Sequence, residues 1–484
     1  SIADSYQDGA GDTVPSDWEK WNADLALGWT PNEDTWIELK GGKSDGEAVY
    51  AGRSMDGSKF ARESLGLRFE KKNVTEVIKK IEAQVNYNFN DHVMDNYSLR
   101  EFKPSMMMPD RAATNVARKT LNTRVAITGE WDKVQLVTGV DSQNNEHSIR
   151  KTDSKTGISY QDQPRMTDMK YQSVGGFGEL TYHFDDQNRL VSGLRLDQVN
   201  VKDERQNSVD KGYNRKLDKT LASGFIRFEN THPDHDDGKT YIGLGYVERM
   251  PDYWELFSPQ SGNGNPNTFN NINTEKTLQL DAGYQHQHGA FSSWVSSYAG
   301  IINDYVLTTY LPSMGHMKML QAHTRNVDAV IAGAEAGIGY QFTDAIQADV
   351  SAMYAWGKNT TDNTPLPQIS PLEARVNLRY VQDKYNFGLL WRVVDGQNRI
   401  SQNEGNIVGY DLKESAGFTT LSINGSYNLT KDIGLSVGID NLLDKTYTEH
   451  LNKMGNAGFG DGFASDQQFN NTGRNYWARM SMKF

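Results

Sequence analysis

Hydrophobic and polar residues alternate along this chain, segment after segment. Ala374, Val376, Leu378 and Tyr380 are interleaved with Glu373, Arg375, Asn377 and Arg379. Ile433, Leu435, Val437 and Ile439 alternate with Gly434, Ser436, Gly438 and Asp440, and Leu421, Ile423, Tyr427 and Leu429 keep the same rhythm. Successive side chains of a strand point to opposite faces, so each segment predicts a strand with one apolar and one wet face. A single strand of this kind fits a soluble sandwich equally well. Its recurrence roughly every 20 residues, with little helical periodicity, predicts an all-β, transmembrane antiparallel β-barrel. The apolar face then meets lipid and the charged face lines the lumen.

The connections alternate as well. Short ones are expected at Pro31 to Asp34, Asp185 to Gln187, Thr343 to Ala345 and Thr430 to Asp432. Long ones are expected at His92 to Ala117, Asn144 to Thr167, Pro251 to Asn273, Gln397 to Gly417 and Thr448 to Gly473. Long loops outside and short turns on the periplasmic side are the habit of outer-membrane barrels. The pattern yields about 19 strands beginning near Asp17, an odd number where a complete bacterial barrel has an even one. Counted back from the last strand, the first runs inward and places Ser1 on the outer side. The expectation is therefore one barrel domain over residues 1–484, with its first strands outside this sequence.

Composition narrows the picture. No window reaches about 18 apolar residues, so no transmembrane helix is expected. The mean hydropathy of −0.68 suits a wall of which only alternate residues face lipid. The absence of Cys fits an oxidising route, and the net charge of −12 argues against nucleic acid. Ser1 is not followed by the basic and apolar regions of a signal peptide. No Gly-x-Ser-x-Gly elbow, phosphate-binding glycine loop or His-Glu-x-x-His motif is present, so an enzyme is not expected.

Three stretches carry a resemblance. The last strand, Asn475 to Phe484, places Tyr476, Ala478, Met480, Met482 and Phe484 on one face, like the assembly signal of outer-membrane proteins. Gly438-Ile439-Asp440-Asn441-Leu442-Leu443-Asp444-Lys445-Thr446-Tyr447 and Arg249-Met250-Pro251-Asp252-Tyr253-Trp254-Glu255-Leu256-Phe257 resemble two blocks of the TonB-dependent receptors. The resemblance implies a barrel of about 22 strands in the bacterial outer membrane. It also implies an N-terminal plug, absent here, that carries the box gripped by TonB. The partners it implies are the TonB energy-transducing complex, outer-membrane lipid and lipopolysaccharide, and the barrel-assembly machinery, for a monomer.

Within that family, Asn86 to Tyr97 resembles the TonB-dependent copper receptors. These hold copper through a Cys-x-x-x-Met pair in the plug and a His-x-Met pair in the barrel, and His92-Val93-Met94 matches the second. Parity agrees with the match. Ile81, Ala83, Val85, Tyr87 and Phe89 form the apolar set, whereas Lys80, Glu82, Gln84, Asn86, Asn88 and Asn90 continue into His92 and Met94. Imidazole with thioether suits copper, Cu(I) above all. Met106, Met107 and Met108, and Met314, His316, Met317 and Met319 with His323 nearby, are secondary candidates for copper capture in long loops. The implied function is energised uptake of copper ions. A receptor for a siderophore or other metal chelate, and a passive pore, are the alternatives.

Overall fold

The computed structural model describes all residues except 105–107, 206–215, 233–237, 258–268, 270, 313–319, 456–462, 465 and 484. One antiparallel sheet holds 22 strands. Three are two-residue segments, Ile2–Ala3, Thr364–Pro365 and Glu404–Gly405, and the remaining 19 run from Trp18–Asn32 to Asn475–Met482. The number and the starting point agree with the sequence reading. Each long strand pairs with the next long strand in the chain, so the wall is a meander rolled into a barrel.

The two rims differ as expected. One carries tight turns such as 33–34, 132–133 and 289–290. Asp132 and Gly289 adopt positive φ there, 49° and 53°, which lets two residues reverse the chain. The other rim carries the connections 96–112, 152–165, 250–274, 395–417 and 441–474. The strands, however, reach farther into this rim than the alternation of apolar residues shows. His92 to Asp95 lie within Ile78–Asp95, and Asn144 to Lys151 within Val134–Lys151. Polar residues pair as well as apolar ones once the strand has left the lipid, so the hydrophobic rhythm stops before the ladder does. Pro31 likewise sits inside Trp18–Asn32, at the irregularity between Trp29 and Asn32.

The outward face is openly apolar: Leu194 is 77% exposed, Leu196 60%, Tyr476 67% and Met480 57%. Apolar surface on this scale needs a non-aqueous neighbour. The opposite parity is charged and internally paired. Arg195 bonds to Asp141 at 2.7 Å, and Arg379 to Asp349 at 2.9 Å. Leu378 and Tyr380 face outward while Arg375 pairs with Glu373, as the alternation predicts.

No strand register joins Trp18–Asn32 to Asn475–Met482 among the described residues. Instead the segment before Trp18 straps the outer rim. Ile2–Ala3 pairs with Trp18 and Glu19, and Asp8 bridges to Thr472. The Tyr6 hydroxyl donates to the Asn470 carbonyl at 2.6 Å, and Val14 packs with Ala51, Phe463 and Phe469.

Candidate metal site

Ile78–Asp95 pairs with Asp56–Lys72 on one side and Ala113–Trp131 on the other. From Lys80 to Asp95 its register with Ala113–Trp131 is unbroken, so parity holds along this length. Val85 and Tyr87 are exposed outward beside Leu65 and Leu67. Asn86, Asn88, Asn90, His92 and Met94 therefore face the lumen, as expected. Beyond Phe89 the outward side presents Asp91, Val93 and Asp95, all three buried, and the charge of Asp91 marks the end of the exposed apolar belt. His92 and Met94 thus lie beyond the membrane, at the outer mouth.

The outward side of this strand end is a tight polar anchor. Asp91 accepts from Lys59 Nζ at 2.9 Å, Asn115 Nδ2 at 2.7 Å and Arg165 Nη2 at 3.0 Å. Burial opposes its ionisation, but the hydrogen bonds from Lys59 and Asn115 and the charges of Lys59 and Arg165 win. They hold its carboxyl below the usual range. Asp95 accepts from the hydroxyls of Ser58 and Ser98 and from the amides of Tyr97 and Ser98. Val93 between them is buried.

The lumenal side is different. The His92 ring stacks on Phe60, with centroids 4.4 Å apart and planes inclined by 23°. Phe60 is the register partner of His92 and Gly57 that of Met94. A Cβ on Gly57 would lie 2.2 Å from the Phe60 ring, so only glycine lets that ring lie where it supports the imidazole. Asn115 donates to the His92 carbonyl at 3.0 Å and fixes the backbone. His92 Nε2 is buried and has no hydrogen-bond partner among the described residues. Burial first, then the charge of Arg53, lower its proton affinity against the opposing pull of Asp91. The ring is therefore biased to the neutral form, the form that ligates metal. Arg53 Nη1 approaches the Met94 sulfur at 3.9 Å.

One imidazole and one thioether are soft donors but fall short of a full coordination set. No group of three or more His, Asp or Glu residues placed to hold a metal occurs among the described residues. Of the secondary candidates, Met106, Met107, Met314, His316, Met317 and Met319 lie outside the described residues, and Met108 is half-buried. Phe60 and Arg53 were not found from the sequence. Their place beside His92 and Met94 follows from cross-strand register and loop path, which no local pattern encodes.

The two sequence blocks prove structural. Asp252 and Glu255 form a reciprocal cap on the short helix Tyr253–Leu256. Arg249 bonds to Glu255 at 2.7 Å and to Glu275 at 3.2 Å. The Tyr253 hydroxyl donates to Asp168 Oδ2 at 2.6 Å, the other oxygen of which lies 2.6 Å from His147 Nδ1. Burial, with Asp168 beside it, pushes the Tyr253 hydroxyl well above its ordinary range. Met169, Val199, Val201 and Leu221 of the wall enclose Tyr253, Leu256, Phe257 and Phe269 in a core inside the mouth. In the second block, Asn441 takes positive φ, donates to the Lys445 carbonyl and accepts from the Lys445 amide, folding the chain back on itself.

A lipid-belted antiparallel barrel with long outer loops and a soft-donor pair at its mouth is a transmembrane wall of the receptor type. Residues 1–442 match the family described as TonB dependent receptor-like, beta-barrel, and the chain belongs to that family. The comparison with curated proteins gives no match. Among solved structures, "Copper transporter OprC" is 49% identical with a TM-score of 0.95, the match covering 100% of this chain and 74% of that one. The ferric-catecholate import receptor Fiu of K12 E. coli is 12% identical at TM-score 0.70, covering 100% and 76%. The FrpB iron transporter of Neisseria meningitidis is 13% identical at TM-score 0.70, with the same coverage. The last two are similar in fold alone.

Proposed function

We propose that this chain is the wall of an outer-membrane importer of copper ions, driven through TonB. The observation that carries the reading is the lumenal His92–Met94 pair at the outer mouth, with its buried, unpartnered Nε2. The 49% identity to a copper transporter along the whole chain supports it. His92 supplies a neutral imidazole nitrogen to the incoming ion and Met94 a thioether sulfur. These donors disfavour hard cations such as Mg²⁺ and Ca²⁺. The resemblance to the copper receptors supplies the remaining donors, a Cys and a Met, from a plug seated in the lumen. Asn475–Met482 shows a strand register along one edge only among the described residues, which supports the reading that further strands complete the wall. Metal capture is then coupled to the element that TonB moves, with the protein working as a monomer among lipid and lipopolysaccharide.

The test is copper content per protein, measured on the full-length gene product after growth in copper. The double variant His92→Ala/Met94→Ala is expected to lose most of its copper and to keep its barrel, because neither residue faces lipid. Equal copper in the two proteins overturns the assignment and moves attention to Met106, Met107 and Met108 and to the 314–319 loop.

A further inference from the structure

A cation stands against the donor pair. Arg53 lies in the connection 49–55, with Nη1 3.9 Å from the Met94 sulfur. Its backbone is held in place. Arg100 Nη2 donates to the carbonyls of Tyr50 and Arg53, both at 3.3 Å, and Arg100 is clamped by two hydrogen bonds on the buried Asp56. The guanidinium rests 5.3 Å from the centre of the Tyr50 ring. No carboxylate pairs with Arg53 among the described residues, whereas the carboxylates on the metal-bearing strand, Asp91 and Asp95, point to the other face and are bonded there. The ammonium of Lys453, bonded to the Val408 carbonyl, lies close enough to sense the Arg53 charge.

A fixed positive charge beside a cation site is a selective element. Coulomb repulsion scales with the charge of the ion, so Arg53 costs a divalent cation twice what it costs a monovalent one. Softness of the donors cannot make this distinction, because soft ions of both charges accept imidazole and thioether. Nor does arginine escape by losing its proton. We propose that Arg53 is a charge filter at the His92–Met94 pair, admitting soft monovalent cations and turning away soft divalent ones. This rests on the metal-site reading given above and adds to it a residue outside the donor set.

The redox-inert probes are Ag(I) and Cd(II), and the readout is retention of each by the full-length gene product after gel filtration. In Arg53→Gln, Cd(II) binding is expected to rise about tenfold or more relative to Ag(I), the size of effect that one unit charge a few ångströms away exerts near a protein surface. Arg53→Lys keeps the charge and is expected to keep the wild-type ratio. Arg53 is exposed and bears on no core, and a melting curve for each variant verifies that the barrel is intact. An unchanged ratio in Arg53→Gln, with Ag(I) still lost in His92→Ala/Met94→Ala, overturns the filter and leaves the site standing. Equal Ag(I) in wild type and that double variant removes the site itself, and the filter falls with it.

Discussion

The two faces of one strand end, the five residues Asp91 to Asp95, follow opposite rules. On the outward side Asp91 and Asp95 are each met by several donors. On the lumenal side His92 Nε2 is buried without a donor or acceptor, and Met94 faces a cation. Buried polar groups are normally paired, because desolvation without a partner costs about 1–3 kcal/mol. Asp91 and Asp95 obey this rule and act as an anchor, although Arg165 Nη1 beside Asp91 is itself buried without a partner among the described residues. The lumenal side breaks it, at a place where the anchor makes the breach affordable. The difference separates residues that hold the strand from residues held by it.

Breaking the anchor should have the largest effect on stability. Asp91→Ala leaves Lys59, Arg165 and Asn115 without their common acceptor and is expected to cost about 3 kcal/mol. Hydrogen exchange in Ile78–Asp95 and unfolding midpoints in detergent measure it. His92→Ala, a larger truncation on the same strand end, should cost well under half as much, and a greater loss than for Asp91→Ala would refute the contrast. Gly57→Ala comes next. Its Cβ meets the Phe60 ring, so about 1–3 kcal/mol of overpacking is expected, with copper retention lowered through the displaced support of His92. Unaltered copper in that variant would show that Phe60 does not position the imidazole. Tyr253→Phe is the mildest. It removes one hydrogen bond to Asp168 at the mouth, about 1 kcal/mol, and copper content should not change.

Much of this was legible beforehand because a barrel writes its geometry in alternation. The strand count, the rims and the lumenal parity of His92 and Met94 all depend on a side chain's position along its own strand. What was not legible depends on a neighbouring strand. Phe60 meets His92 because the regular ladder between Asp56–Lys72 and Ile78–Asp95 sets that pairing, and the register irregularity between Gly57 and Lys59 then places Gly57 opposite Met94. Arg53 reaches Met94 because Arg100, far along the chain, clamps its loop. The ends of the strands were misjudged for a related reason. Outside the lipid the residues of Val134–Lys151 are polar on both faces, so nothing in their spacing distinguishes a paired ladder from a loop.

The strap at the outer rim bears on the order in which this chain assembles. Each hairpin of the wall pairs neighbours in sequence and can zip without waiting for distant segments. The bonds of Tyr6 and Asp8 to Asn470 are of another kind, spanning 464 and 462 residues. Drawing in so long a loop costs on the order of 5 kcal/mol of chain entropy when nothing between is ordered. Once the hairpins have zipped, most of that entropy is already gone. The strap is thus a late event, made cheap by the wall before it, and its formation would report that the hairpins between Trp18–Asn32 and Asn475–Met482 have zipped.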